Sequence, residues 1–259
     1  ALNDTAWDGK WWVRWFGNDG EAYGSNKAKY GKIYCNGQSW PVFSGLAEGD
    51  RAIQGMDSLE KYLNTENGVK KSTPGYRGFD DTVGGISTYP PGAKENGGIF
   101  LHTNPWIMIA ETILGRGDKA FQYYSQINPV AKNDNLDEFE SEPYCYPQNI
   151  LSDEHSKFGM GRNAWLSGTS SWTYQAATQY ILGVRASFAG LIIDPCIPST
   201  WKGFDMVREF RGATYKITVK NPKGICKGVE KMMVDGVELD SNVVPAFEKG
   251  THNIEVTLG

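Results

Sequence analysis

The sequence is poor in the side chains that usually hold metal ions. Its 259 residues include three histidines and four cysteines, and the cysteines lie far apart with no CxxC pair. Closely spaced cysteines and histidines are the usual mark of a zinc site or a disulfide framework. We therefore predict no metal, no cofactor and reduced thiols, as expected of a cytoplasmic protein.

Long apolar runs and an excess of positive charge are also missing. No apolar stretch approaches the ~20 residues that a membrane-spanning helix needs, and no secretory leader is recognisable. The net charge is -4, which gives no reason to expect nucleic acid or an anionic membrane surface as a partner. We predict that the protein binds neither.

Aromatic side chains, by contrast, are abundant. The chain has nine tryptophans, 13 tyrosines and 11 phenylalanines. Flat rings with a polar edge stack well on the faces of sugars, so this composition points towards carbohydrate. A large aromatic core would use the same residues and stays open as the alternative.

The spacing of apolar residues predicts a mainly helical N-terminal part. Predicted helices cover residues 1–16, 38–47, 50–63, 105–115, 119–127 and 170–182, with a predicted loop at 128–166. In the third of these helices the spacing predicts one apolar face made of Ile53, Met56, Leu59, Tyr62 and Leu63. In the fourth it predicts one made of Trp106, Ile109, Ala110 and Ile113. The sequence GDRAIQ at 49–54 recurs as GDKAFQ at 117–122, each time between two predicted helices. Helix pairs that repeat in this way, each followed by a long loop, predict stacked or ringed helical hairpins.

The residue types and their pattern change after about residue 186. Short runs of β-branched and aromatic residues follow, several of them alternating, and VDGV at 234–237 is a typical hairpin turn. Residues 190–259 are therefore predicted to form a small all-β domain, a sandwich or part of a jelly roll. No catalytic constellation is visible in it.

The most polar loop lies at 89–106, YPPGAKENGGIFLHTNPW. It places Lys94 and Glu95 after a rigid turn and His102 just before a helix, for which Asn104 is the predicted N-cap and Pro105 the first helical residue. It ends a predicted loop of about forty residues, 65–104. Loops of this length are usually functional or disordered. The alternative is an ordinary interhelical loop with a hydrogen-bonded histidine.

A second polar stretch, WLSGTSSW at 165–172, precedes the last predicted helix. Free backbone N–H groups and small hydroxyls at a helix N-terminus form a site for an anion. The alternative is that these residues are only N-caps, which is their commonest use.

These segments together carry a family resemblance. The runs at 89–106 and 165–172, with AWDG at 6–9, QYILG at 179–183 and DPCIP at 194–198, resemble the C-terminal part of the inverting disaccharide phosphorylases of glycoside hydrolase family 94, with cellobiose and cellodextrin phosphorylases most similar. The resemblance covers essentially the whole sequence. It implies the second half of an (α/α)6 barrel at 1–188 and a small β-sandwich or jelly-roll-like domain at 189–259.

The resemblance also implies an activity. These enzymes cleave β-glucosidic bonds of cellobiose or cellodextrin with inorganic phosphate and release α-glucose 1-phosphate. Phosphate is itself the nucleophile, so one carboxylic acid suffices where an inverting hydrolase needs two carboxyl groups. The family's aspartic general acid is not in this chain, since Asp8, Asp80 and Asp81 lack its sequence context. We therefore expect a fragment that is inactive alone, completed by the N-terminal portion of the same enzyme, in a homodimer.

The site residues implied by the resemblance fall into two groups. The phosphate-binding group is His102, Ser167, Gly168 and Thr169, with Ser167 where the family more often has threonine. The substrate-binding group, on the side of the acceptor sugar, is Tyr89, Lys94 and Glu95. Gly84 and Gly85 stand where cellobiose phosphorylases tend to have an acidic acceptor contact, and a more open site there would suit a longer cellodextrin.

Two other functions remain open. One is a non-catalytic carbohydrate-binding or scaffold module, which the aromatic content and the β domain would also fit. The other is a family relative acting on laminaribiose, a sophorose-type disaccharide or chitobiose. The sequence alone does not separate these linkages.

Overall fold

The computed structural model describes residues 1–259. It contains seven α-helices, α1 to α7, at Leu2–Thr5, Cys35–Phe43, Arg51–Leu63, Asn104–Ile113, Gly117–Ile127, Leu136–Phe139 and Thr169–Gln175. The last continues as a π-helix, Ala176–Ile181, and three 3-10 helices lie at Gly84–Thr88, Leu101–Thr103 and Pro129–Asn135. No helix is both long enough and apolar enough to cross a membrane.

Seventeen strands complete the fold. Strands β1 to β9 are short and lie at Trp15–Phe16, Ala22–Tyr23, Ile33–Tyr34, Asn64–Thr65, Gly68–Val69, Ser72–Thr73, Ile99–Phe100, Pro147–Ile150 and Gly161–Ala164. Strands β10 to β17 lie at Val184–Ala186, Gly190–Ile193, Gly203–Phe210, Ala213–Lys220, Val229–Val234, Val237–Leu239, Val243–Pro245 and Thr251–Leu258.

The chain forms two compact units. The first comprises residues 1–114 and 122–173, and the second comprises 115–121 and 174–259. The first unit holds β1 to β9 and most of the helices, whereas the second holds β10 to β17. The boundary between a barrel part and a β domain at residue 188 stays a prediction.

Helix α4 lies at the centre of the first unit. Ile107, Met108, Ile109 and Ala110 are all fully buried, and α2 packs against both α4 and α3. A helix that is apolar on every side belongs in a core. The predicted single apolar face was therefore wrong for this helix, and Ile113, assigned to that face, is 43% exposed.

Helix α3 is amphipathic, as predicted. Met56, Leu59 and Leu63 are fully buried, whereas Ile53 and Tyr62, which were assigned to the same face, are partly exposed. Gly55 completes the buried face, and a Cβ there would lie 2.7 Å from the ring of Trp12.

The predicted helix over residues 1–16 was wrong beyond its first turn. Only Leu2–Thr5 is helical. Asp8 and Gly9 then turn the chain, with Gly9 at φ 94°, and the Asp8 carboxylate accepts the backbone N–H of Asn26 at 2.7 Å. Asp-Gly is strong turn chemistry, and it outweighs the helical spacing of the tryptophans.

The predicted loop at 128–166 was wrong in part, because it contains secondary structure that matters for the site. It includes α6 and the antiparallel hairpin β8–β9, which extends into a three-stranded sheet of order β7–β8–β9. The strands carry Gln148, Asn149 and Arg162 in place of alternating apolar residues, so the pattern of a half-buried strand is absent.

The strands of the second unit form two sheets. One has the order β10–β11–β16, and the other has the order β12–β13–β17–β14–β15 with only β13 and β17 parallel. The predicted strands and the hairpin at VDGV are confirmed, and Asp235 and Gly236 both have positive φ, as a type I′ turn requires. Strand β12 was not predicted.

Candidate functional site

A three-stranded sheet brings the two polar segments of the sequence to one place. Strands β7 and β9 are both antiparallel to β8, so they run parallel to each other and end at the same edge. Strand β7 ends two residues before His102, and β9 ends three residues before Ser167. Sheet topology therefore explains why segments about 65 positions apart in the sequence meet.

The contact between them is direct. A Cβ placed on Gly168 would lie 2.8 Å from Cε1 of His102 and 3.3 Å from its Nε2. The imidazole ring thus lies on the backbone of Gly168, and no larger residue fits there unless the ring moves. We call His102, Ser167 and Gly168 the histidine corner.

Aromatic packing fixes the other side of the imidazole. The ring centroids of His102 and Trp106 lie 5.1 Å apart. Trp106 in turn contacts Trp40 and Trp172 edge to face, at 5.2 and 5.8 Å. His102 is therefore held between an aromatic cluster and a glycine backbone, which leaves its ring few alternative positions.

Electrostatics favour the neutral form of this histidine. Burial lowers the pKa of His102, and the positive charge of Lys71 lowers it further. Neither ring nitrogen hydrogen-bonds within the chain. A neutral imidazole has one N–H donor and one acceptor, so His102 can donate to an anion while Lys71 adds positive potential.

Ser167 and Thr169 form a pair of hydroxyls beside the histidine. Their oxygens lie 2.6 Å apart, and Ser167 also accepts the backbone N–H of Thr169 at 3.2 Å. Thr169 is fully buried, whereas Ser167 is half-buried. Ser167 is thus the hydroxyl that a ligand can reach, and the buried Thr169 orients it through these hydrogen bonds.

The predicted N-cap at Asn104 was wrong. Asn104 is the first residue of α4, Thr103 precedes it as the cap, and Pro105 is the second helical residue. The Asn104 side chain is fully buried and instead accepts the N–H of Val69 at 2.9 Å and donates to its carbonyl at 3.1 Å. It anchors the start of α4, and with it His102, to β5.

The second group of predicted residues lies on a cleft of about 500 Å³ that we call the acceptor cleft. Tyr89 and Lys94 line it, and the Lys94 ammonium lies 5.2 Å from the centre of the Tyr89 ring. The cleft is lined by Tyr89, Pro90, Ala93, Lys94, Asn149, Leu151, His155, Lys157, Met160, Arg162 and Asn163.

Buried hydrogen bonds shape the turn that carries Tyr89 and Lys94. Asn96 is fully buried, accepts the N–H of Tyr76 at 2.6 Å and donates to the carbonyls of Tyr76 and Tyr89 at 2.8 and 2.7 Å. Lys94 has φ 48°, and its backbone N–H donates to the Asn149 side chain at 3.3 Å. Neither Asn96 nor Asn149 was predicted from the sequence to have a role in the site.

Glu95 does not line the acceptor cleft. Its side chain is half-buried, and Oε2 is inaccessible to solvent with no hydrogen-bond partner in the chain. The prediction that it contacts the acceptor sugar stays a prediction.

Comparison with known proteins identifies the family of the chain. The model of the glycosyl hydrolase 94 superfamily catalytic domain matches residues 1–183. The chain belongs to this family.

Relatives in the family include phosphorylases of several disaccharides. The chain is 39% identical over its whole length to an N,N'-diacetylchitobiose phosphorylase of Vibrio proteolyticus and 40% identical to one of Vibrio furnissii, covering 33% and 32% of those proteins. It is 34% identical over its whole length to a solabiose phosphorylase of Paenibacillus borealis, covering 34% of it. The chain spans about a third of the length of these relatives.

Proposed function

We propose that this chain is the phosphate- and acceptor-binding part of an inverting disaccharide phosphorylase. The observation that carries the proposal is the histidine corner, where an imidazole with no hydrogen bond lies against a glycine backbone and a reachable hydroxyl. Such donors suit a phosphate dianion, because they stabilise its charge through hydrogen bonds without burying an unpaired charge of their own. Family membership supports the same reading of the corner.

The reaction is a displacement at the anomeric carbon. A phosphate oxygen forms the new bond to that carbon, the glycosidic bond breaks, and a general acid protonates the departing sugar oxygen. His102 donates an N–H to the phosphate, the Ser167 hydroxyl donates a second hydrogen bond, and Lys71 adds positive potential. The chain thereby positions the nucleophile, since a bound and oriented phosphate lowers the entropic cost of the attack.

We propose that Tyr89 and Lys94 bind the acceptor sugar, with Glu95 in the same region. The Tyr89 ring offers a stacking surface, and the Lys94 ammonium offers hydrogen-bond donors. Phosphate is the co-substrate, and the reaction as proposed needs neither a metal nor a cofactor.

We also propose a domain architecture, a source for the general acid and an oligomeric state. The first part of the chain would be the second half of an (α/α)6 barrel and the last part a β-sandwich-like domain. An aspartic general acid would come from an N-terminal portion of the same cytoplasmic enzyme, acting as a homodimer. Because its relatives are about three times longer, the isolated chain should be inactive.

The disaccharide is the least determined part of the proposal. Cellobiose and cellodextrin fit the sequence motifs, whereas two similar relatives are named for N,N'-diacetylchitobiose. The complete protein should be incubated with phosphate and, separately, with cellobiose, cellotriose, laminaribiose and N,N'-diacetylchitobiose. We expect a sugar 1-phosphate from at least one of them. Hydrolysis that does not require phosphate, or binding without turnover, would contradict the proposal.

A second assay tests where the general acid lies. The isolated chain should release no sugar 1-phosphate from any disaccharide that the complete protein cleaves. Turnover by the isolated chain would show that its own residues include the acid.

A further inference from the structure

The internal repeat gives helices α3 and α5 the same surface pattern at their starts. In each copy a glycine and an aspartate stand at the beginning of the helix, and an apolar residue follows about one turn later. The glycine, aspartate and apolar residue are Gly49, Asp50 and Ile53 in the first copy and Gly117, Asp118 and Phe121 in the second. What lies on these two surfaces can therefore be compared position by position.

A segment of the second unit, residues 197–201, covers the second copy, and we call it the docked segment. A Cβ on the glycine of this copy would overlap the carbonyl oxygen of Ile197, so the docked segment runs directly over the start of α5. The Asp118 carboxylate accepts the backbone N–H of Ser199 at 2.8 Å and its hydroxyl at 3.0 Å. These contacts fasten the docked segment to α5, and the start of α5 accordingly belongs to the second compact unit.

The first copy has no such partner. Phe121 of the second copy packs edge to face against Trp201 of the docked segment, with ring centroids 5.1 Å apart, whereas Ile53 is 45% exposed. The Asp50 carboxylate forms no hydrogen bond or ion pair within the chain. Apart from its chain neighbours, no atom lies within 4 Å of a Cβ placed on Gly49. All three positions that are covered on α5 are therefore open on α3.

A cleft of about 440 Å³ lies along this open face of α3. Asp50, Ile53 and the partly exposed Tyr62 are among its lining residues. Lys10 forms another part of the wall, and its carbonyl accepts the Ser58 hydroxyl at 3.1 Å. The cleft thus combines an unpaired carboxylate with exposed apolar surface. Apolar surface rimmed by polar groups is typical of a protein interaction site.

We propose that this cleft is a docking surface for a short segment of the N-terminal portion of the enzyme. The segment supplies a backbone N–H or a hydroxyl to Asp50 and an apolar or aromatic side chain to Ile53, as Ser199 and Trp201 do on α5. Two observations select this partner. The occupant of the matching surface on α5 belongs to the same polypeptide, and the relatives of the chain are about three times longer. The inference rests on the proposed function, because that function calls for an N-terminal portion.

Photo-cross-linking in the complete protein identifies the occupant. The photoreactive residue p-benzoylphenylalanine replaces Ile53 in one variant and Phe121 in the matched control. The control should cross-link to the docked segment. At position 53 we expect cross-links to peptides that precede residue 1 in the complete protein. Cross-links from position 53 to a second copy of residues 1–259, or none at all while the control reacts, would show that the inference is wrong.

Cysteine labelling measures how strongly the face is covered. In the complete protein, Ile53→Cys should react with a maleimide at least about tenfold more slowly than the same variant unfolded in denaturant. Adding Asp50→Ala should raise the native labelling rate about fivefold, since it removes one hydrogen bond to the occupant. Asp50 makes no capping hydrogen bond to α3, so the helix itself is not altered.

The control for the labelling is Glu48→Ala, which removes an exposed carboxylate outside the cleft and should leave the rate unchanged. A native labelling rate of Ile53→Cys equal to the unfolded rate would contradict docking.

Neither readout depends on turnover, so the inference and the proposed function can fail separately. If the complete protein cleaves a disaccharide with phosphate but shows neither the cross-links nor the protection, the inference is wrong and the proposed function stands. If the cross-links and the protection are found without phosphorolysis, the docking surface is supported and the proposed function is wrong.

Discussion

The histidine corner and the acceptor cleft bind their proposed ligands by different physical means. In the corner, the His102 ring is fixed by contact with Gly168 and Trp106, so sterics determine where the donor points. In the cleft, buried hydrogen bonds fix only the backbone, and the long cationic side chains of Lys157 and Arg162 extend into solvent. We infer that the corner is sensitive to the size of its residues and the cleft to their charge.

Removing the buried frame of the cleft should have the largest effect. Asn96→Ala eliminates three hydrogen bonds and leaves the N–H of Tyr76 buried without a partner. We expect a loss of roughly 2–4 kcal/mol in the free energy of unfolding, measured by denaturant titration. The KM for the acceptor should rise, whereas the KM for phosphate should change little.

A matched control exists in the second unit. Asn221 is equally buried and makes three side-chain hydrogen bonds, to Trp201 and Ile225. Asn221→Ala should lower the stability by a similar amount without raising the KM for the acceptor. If both variants changed the acceptor KM equally, Asn96 would have no specific role in the cleft.

Loss of the imidazole should be the next largest effect. His102→Ala removes one donor to a bound anion, a loss of roughly 1–3 kcal/mol. The KM for phosphate should therefore rise by about 10- to 100-fold in steady-state kinetics of the complete protein. His252→Gln, which alters a histidine of the second unit, is the control, and an unchanged phosphate KM in His102→Ala would remove the proposed role.

Adding one methyl group tests whether sterics control the corner. Gly168→Ala would place a Cβ 2.8 Å from the His102 ring, and turning the ring away from its preferred geometry costs about 1 kcal/mol. We expect a severalfold rise in the KM for phosphate. Gly85→Ala adds the same methyl group where no atom lies within 4 Å, and a similar rise in that variant would show that the steric explanation is wrong.

The Ser167 hydroxyl should have a smaller effect. Ser167→Ala removes a reachable hydroxyl and the acceptor for the Thr169 N–H, whereas Ser167→Thr keeps both. We expect about a fivefold rise in the phosphate KM for alanine and less than twofold for threonine. Equal kinetics for both variants would indicate that the Ser167 hydroxyl does not contact phosphate.

The smallest predicted effect concerns a residue pair of the second unit and depends on pH. The hydrogen bond to Asp235 raises the pKa of His252 above 6.5, and the same pair lowers the pKa of Asp235 below 3.8. The histidine therefore adds stability below pH 6.5 that is lost as pH rises through its folded pKa. The carboxylate adds stability above 3.8 that is lost as pH falls through its folded pKa.

The melting temperature measures how the contribution of the His252–Asp235 pair to stability depends on pH. Relative to His252→Gln, the natural chain should melt on the order of 1–2 °C higher near pH 5 and lose this advantage above neutral pH. Lys220→Gln, which breaks another exposed ion pair, with Glu255, is the control. A pH-independent difference for His252→Gln would contradict the pairing.

Much of the site could be predicted from sequence because its residues lie in long contiguous motifs. His102, Ser167 and Gly168 were predicted in this way, and so were Tyr89 and Lys94; the roles of all five stay predictions. The hairpin carrying Arg162 was missed, since its strands lack apolar alternation and their pairing partners are distant in sequence. Lys71 was missed because it affects His102 only through space, as an electrostatic effect that no local pattern reveals.

In the fold, too, elements set by local sequence were predicted, whereas those set by contacts between distant residues were missed. Helix α3 and the VDGV hairpin follow from local spacing and turn chemistry, and both were predicted. The helix over 1–16 was wrong because Asp8 and Gly9 turn the chain, after which the indole N–H of Trp11 bonds to the carbonyls of Gly24 and Lys32, at 2.8 and 3.0 Å. Those partners lie in a later loop, which the spacing of the tryptophans does not reveal.

A structure of the complete protein with bound phosphate tests the central claim most directly. We predict one phosphate oxygen within hydrogen-bond distance of a ring nitrogen of His102 and another near the Ser167 hydroxyl or the Gly168 N–H. The acceptor cleft should hold no phosphate at concentrations that saturate catalysis. Phosphate bound instead to Arg162 and Lys157, with the histidine corner empty, would contradict the account.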